Sequence, residues 1–121
     1  MKKVYLENEM EIRKWIVYLA DLNPRFGTEP GKTRPVVVVQ TNLLNNHHPS
    51  TIVCPLTTQI HPKSDVLRVH LRKGEAGLME RSDIMVDQLR AIDNRRLLKR
   101  LGMIGSLSQK KLAQNIQIIL N

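Results

Sequence analysis

The chain has 121 residues, enough for one domain with one modest core. Its 19 Lys and Arg against 11 Asp and Glu leave a net charge of +8, a balance that favours polyanions, nucleic acid first among them. Hydrophobic residues at 41% exclude a disordered chain, and aromatics at 3% leave Val, Ile and Leu to build the core.

The opening "MKKVYLENEMEIRK" is polar, with acids soon after its lysines and no apolar run, so it does not read as a secretory signal. Residues 1–13 read as an N-terminal extension, frayed or a short helix, ahead of a single domain over 14–121. "WIVYLADL" (15–22) is apolar and stops at "NP", a turn signal, which predicts a strand. "NPRFGTEPGKTR" is a loop punctuated by Pro and Gly. "PVVVVQT" (35–41) is the clearest strand, a β-branched run that implies burial on both faces. Residues 42–50 are polar, with room for a helical turn. "TIVCPLTT" (51–58) is a further strand, and "DVLRVHL" (65–71) alternates as a half-buried one. "KGEAG" is a turn, and "LMERSDIMV" and "QLRAID" predict two more strands. In "SLSQKKLAQNIQIIL", Leu112, Ile116, Ile119 and Leu120 fall at helical spacing, with Ser106 or Ser108 as N-cap and Ser106–Gln109 as a capping box. About six short strands and one C-terminal helix predict a mainly β fold, a small barrel with the helix over one opening. Cys54 is the single cysteine, which excludes an intramolecular disulfide and fits a reducing cytoplasm. No stretch approaches the ~20 apolar residues of a membrane span, so a soluble cytoplasmic protein is expected.

"GKT" (31–33) suggests a nucleotide phosphate loop, but the surrounding residues exclude one. Only three residues separate Gly27 from Gly31 where that loop needs four, and Pro35 forbids the helix that must follow. Without a helix N-terminus there is no set of amides to receive a phosphate. What the stretch offers instead is Arg34, placed where a flexible loop enters a rigid strand, with Glu29 and Lys32 beside it in the loop. A second polar group, Thr57, Thr58 and Gln59, ends the apolar strand "TIVCPL".

These blocks, in this order and spacing, resemble the MazF/PemK family of toxin endoribonucleases from toxin–antitoxin pairs. The blocks are "VYLADLNP", "GTEPGKTRPVVVVQ", "TIVCPLTTQ", "GLMERSDIMVDQLRAID" and the closing helix, and the match runs from about Trp15 to Leu120. The resemblance implies an SH3-like barrel, a homodimer, and metal-independent cleavage of single-stranded RNA at short motifs, with no cofactor. It implies Arg34 and Thr57 as catalytic residues and Glu29 in a supporting position. Where members often carry Arg-Gly-Asp before the first strand, this chain has Lys14, Trp15 and Ile16. The implied reaction is attack of a ribose 2′-OH on the adjacent phosphorus, leaving 2′,3′-cyclic phosphate and 5′-OH ends; DNA lacks that nucleophile. Arg34 suits the role of phosphate clamp and proton donor, and His47, His48, His61 and His70 are possible bases by their ordinary pKa.

An RNA path needs cations and a stacking surface. Phe26 and Trp15 could stack; Lys32, Thr58, Gln59, Arg81 and Arg90, with Arg68, Arg72 and Lys73, could line it. Two adjacent His and one Cys match no usual metal-ligand spacing, so no metal is expected. The resemblance also implies an antitoxin whose acidic, flexible tail covers the basic site, with operator DNA bound only indirectly through that partner. The competing readings are a non-catalytic RNA-binding barrel and a toxin of the same fold that poisons a DNA topoisomerase.

Overall fold

In a computed structural model, residues 10–121 are described. The predicted extension therefore lies mostly outside the described residues. Near its end, Ile12 is fully buried, and its N–H and C=O are both bonded to the side chain of Asn46.

Among the described residues seven antiparallel strands form the body: β1 (Ile16–Asp21), β2 (Thr33–Val38), β3 (Ser50–Thr57), β4 (Arg68–Leu71), β5 (Ser82–Met85), β6 (Arg90–Asp93) and β7 (Leu97–Met103). Three short 3-10 turns lie between the later strands, and one α-helix among the described residues, α1 (Ser106–Leu120), follows β7. The sheet order is β4-β5-β3-β2-β1-β7, with β6 also paired to β3. The expectation of a mainly β fold with a C-terminal helix is met, with two corrections. The described residues form seven strands rather than about six, and their path is open, ending at β4 and β7, rather than a closed barrel.

The added strand is β7. Its "LLKRLGM" buries only Leu97 and leaves Leu98, Lys99, Arg100 and Met103 exposed, so no period-2 pattern marks it. It is an edge strand, and charges at its centre are what edges tolerate. Two register shifts along its pairing with β1 further break the alternation.

The Val run behaves as read: Val36, Val37 and Val38 are all fully buried. Alternate residues feed the two faces of the sheet. Val37, Cys54, Leu56, Ile84 and Leu112 join one core; Val36, Val38, Val53, Tyr18 and Ile92 join the other. Full burial of each Val is worth about 1.5–3 kcal/mol, which makes β2 and β3 the rigid centre. β3 is the hub of the fold, with Ser50–Val53 on β6, Val53–Pro55 on β2, and Leu56 and Thr57 on β5.

Helix α1 packs Leu112 and Asn115 inward, but its start differs from the serine caps expected. The N-cap is Gly105, and neither serine caps it. Glu75, from the β4–β5 connection, takes the Gly105 N–H at 3.0 Å and the Ser108 hydroxyl at 2.7 Å. A carboxylate there satisfies an orphan donor and complements the helix dipole.

Candidate active site

The loop between β1 and β2 is closed at its base. Leu22 N–H donates to Lys32 O at 3.0 Å, and Lys32 N–H donates to the Asn23 side chain at 2.7 Å. Arg96, from the turn before β7, donates to Asp21 O and Asn23 O and pins the loop's entrance. Gly31 passes so close to Arg25 that an added Cβ would lie 2.6 Å from its side chain. The glycine is there for close approach, not for phosphate.

Arg34 is the second residue of β2, and Thr57 is the last of β3. The β2–β3 register runs Val38↔Val53, Val37↔Cys54, Val36↔Pro55. The pairing stops there, and Arg34 reaches across to β3 through its side chain, whose Nη1 donates to the carbonyl of Leu56, the neighbour of Thr57. Arg34 is fixed by two bonds, Nε to Gly31 O at 3.1 Å and Nη1 to Leu56 O at 3.2 Å. Burial, and then the charge of Arg25, lower the pKa of its guanidinium. The Thr57 Oγ1 accepts from Gln59 N–H at 3.2 Å. That orientation leaves the hydroxyl proton for another acceptor.

These residues line one cleft of about 750 Å³, with Glu29, Lys32, Thr58 and Gln59 of the predicted set on its walls. Arg68, one of the basic residues suggested for an RNA path, also lines it. Phe26, Arg81 and Arg90 do not. Phe26 is 73% exposed at the loop. Arg81 is exposed just before β5. Arg90 Nη1 lies 3.9 Å from Glu29 Oε1, a long ion pair without a hydrogen bond. Trp15 is partly buried against the core, with Lys14 Nζ 4.6 Å from its ring centre. None of His47, His48, His61 and His70 lines the cleft. His48 Nδ1 instead accepts the Ser50 N–H, and His70 Nδ1 lies 2.6 Å from Asp83.

Reasoning from sequence missed Asn23, Arg25, Thr28, Ser82 and Met85 as wall residues. For the first three a signal was present, since they share the loop of Glu29. With Arg25, Lys32, Arg34 and Arg68 against Glu29, the cleft walls carry four cations to one carboxylate. Among the described residues, no three His, Cys, Asp or Glu side chains are grouped to hold a metal ion, and no helix is long and apolar enough to cross a membrane.

Comparison with known proteins gives a consistent result. An endoribonuclease MazF of Staphylococcus saprophyticus is 34% identical over 109 residues, covering 90% of this chain and 91% of that one. A crystal structure of MazF from Deinococcus radiodurans superposes with a TM-score of 0.78 at 20% identity, over 92% of this chain and 97% of that one. An endoribonuclease in complex with its cognate antitoxin, from a mycobacterial species, superposes at 0.73 with 19% identity, over 90% and 94%. The model of the PemK-like, MazF-like toxins of type II toxin–antitoxin systems matches residues 13–120, and the chain belongs to that family.

Proposed function

We propose that the chain is a sequence-specific endoribonuclease that cleaves single-stranded RNA through attack of a 2′-OH on the neighbouring phosphorus, without a metal. The observation that carries this is that Arg34 and Thr57, from the adjacent strands β2 and β3, line the same cationic cleft, which Glu29 also lines. The phosphorane gathers negative charge on its equatorial oxygens, and fixed donors aimed at that charge lower the barrier most. Arg34 keeps N–H groups beyond the two that anchor it, since a guanidinium has five. Thr57 adds a neutral donor. Glu29, the cleft's carboxylate, takes the proton of the attacking 2′-OH as the O–P bond forms. Arg34 gives a proton to the departing 5′-oxygen as the opposite P–O bond breaks. Its lowered pKa favours that transfer, and solvent carries the proton back from Glu29. Lys32, Thr58 and Gln59 contact the substrate along the walls, while Phe26 offers a stacking face at the rim and Arg81 and Arg90 add charge further out.

Cleavage of a mixed single-stranded RNA with chelator present tests the reading. Wild type should cut it, leaving 2′,3′-cyclic phosphate and 5′-OH ends, and should leave a 2′-deoxy substrate whole. Intact RNA, or 5′-phosphate products, would overturn it.

The basic cleft also suits a small antitoxin with an acidic segment that lies across Arg34; operator DNA would then be reached through that partner. Co-purification with a partner that has no acidic segment would count against it. The chain works as a homodimer in this reading. β7 ends the sheet path with Leu98 and Met103 exposed, an edge that association would cover. Sedimentation at the mass of one chain would refute the dimer.

A further inference from the structure

Asp83 is fully buried, and nothing in the reaction above uses it. It lies in β5, paired across the sheet with Thr57 on one side and His70 on the other. Its two oxygens take three donors. Oδ2 accepts from Arg68 Nη1 at 3.1 Å and from His61 N–H at 2.8 Å; Oδ1 lies 2.6 Å from His70 Nδ1. A carboxylate taken out of water needs such partners. Packing alone, however, does not ask for the next link. The same Arg68 Nη1 also donates to Gln59 O at 3.0 Å, and Gln59 N–H donates to Thr57 Oγ1. Asp83, Arg68, Gln59 and Thr57 thus form one chain of hydrogen bonds, while the His61 contact ties down the far end of the same segment.

We propose that Asp83 is a positioning residue: through Arg68 and Gln59, and through the His61 N–H, it fixes the segment 57–61 so that the Thr57 hydroxyl points into the cleft. The inference rests on reading Arg34 and Thr57 as the phosphate-handling pair. If the segment shifts, the Gln59 N–H leaves Oγ1, the hydroxyl rotates freely, and its proton is no longer aimed. Asparagine keeps the shape of Asp83 but not its charge. Its amide oxygen can still take Arg68 and the His61 N–H, and its NH2 can meet His70 Nδ1 in the Nε2–H tautomer, but the negative charge is gone, so the charge-assisted bond that holds Arg68 falls to a weaker neutral one.

The test is a double-mutant cycle. Single-turnover cleavage is measured for wild type, Asp83→Asn, Thr57→Ala and the double variant, alongside thermal unfolding and binding of a 2′-deoxy analogue. Thr57→Ala should slow cleavage about 100- to 1000-fold, and Asp83→Asn about 10- to 100-fold, the scale of a small misplacement. Analogue binding by Asp83→Asn should weaken far less than the rate falls, because Lys32 and Arg34 lie outside the segment 57–61. The double variant should be no slower than Thr57→Ala, because a residue acting through Thr57 has nothing left to position. Losses that multiply would overturn the proposal, and so would an unimpaired Asp83→Asn. Wild-type speed in Thr57→Ala alone would sink the reading of the site itself, and the single variant reports that separately. Should Asp83→Asn fail to fold, Arg68→Gln enters the same cycle. Multiplied losses there would show Arg68 acting directly on RNA, against the proposal.

Discussion

Replacing Arg34 by lysine keeps the charge and removes the fork. In the native site Nε and Nη1 are committed to Gly31 O and Leu56 O, at 3.1 and 3.2 Å, and the remaining N–H groups are free for the phosphate. One ammonium cannot reach two protein carbonyls and a phosphoryl oxygen at once. The Arg34→Lys variant would therefore give up at least one transition-state donor, costing about 2.7–4 kcal/mol of barrier, or roughly 100- to 1000-fold in rate. The folded state loses less. At least one bond to a carbonyl goes, worth about 0.5–1.5 kcal/mol, and the site is partly solvated. The expected pattern is a collapse of the single-turnover rate on a short RNA, a small fall in unfolding midpoint, and little change in RNA affinity. The assay is cleavage of a doubly labelled oligonucleotide at saturating enzyme, with denaturant titration in parallel. Arg34→Lys cleaving at the wild-type rate would refute the argument, for then only the net charge matters. Arg25 gives a second reading of the same group. Burial and Arg25 together lower the Arg34 pKa. In the proposed reaction Arg34 gives up a proton, so activity should fall as pH rises through that lowered value. Arg25→Ala raises the pKa and should move the alkaline limb to higher pH; a limb that stays in place contradicts the assignment.

Gly77 stands at φ +73°, and a Cβ there would lie 2.6 Å from Leu101 O, so Gly77→Ala should destabilise by at least the roughly 1–3 kcal/mol of a strained backbone. A denaturant midpoint equal to wild type would contradict this. Burial, with the charge of Asp87 added, pushes the Cys54 thiol up to about 12. The native protein should thus resist thiol reagents at neutral pH and react only as it unfolds; fast labelling of the folded protein would show the site to be open. For Asp83, burial acts to raise the pKa, but the His61 N–H, His70 and Arg68 outweigh it and hold the carboxyl below the usual range. The resulting stabilisation is complete above the ordinary carboxylate pKa and is lost as pH falls through the depressed folded value. The unfolding free energy of wild type should drop in that acid window more than that of Asp83→Asn. Parallel curves would mean the carboxylate is not held as its contacts imply.

What is legible in the sequence is local. Val36–Val38 announce a buried strand because β-branched residues without polar interruption have no other stable place in a small domain. Arg34 and Thr57 stand out because each marks the point where such a strand meets a polar loop. What is not legible depends on pairings that no local pattern encodes. β7 carries Lys99 and Arg100 at its centre and touches the body through a bulged register, so its strand character comes from β1 rather than from its own residues. The nearest serines look like the helix cap, although the group that fills it is Glu75, thirty residues upstream by way of the β4–β5 connection. Asp83 is hidden for the same reason. In "RSDIMV" it looks like an ordinary polar residue at the start of a strand. Alternation puts Arg68 and His70 on one face of a strand, but only the β4–β5 register, Arg68↔Met85 to Leu71↔Ser82, shows that this face meets a carboxylate. The same register sets Asp83 beside Thr57, a neighbour twenty-six positions away that two threonines at a strand end do not announce by themselves.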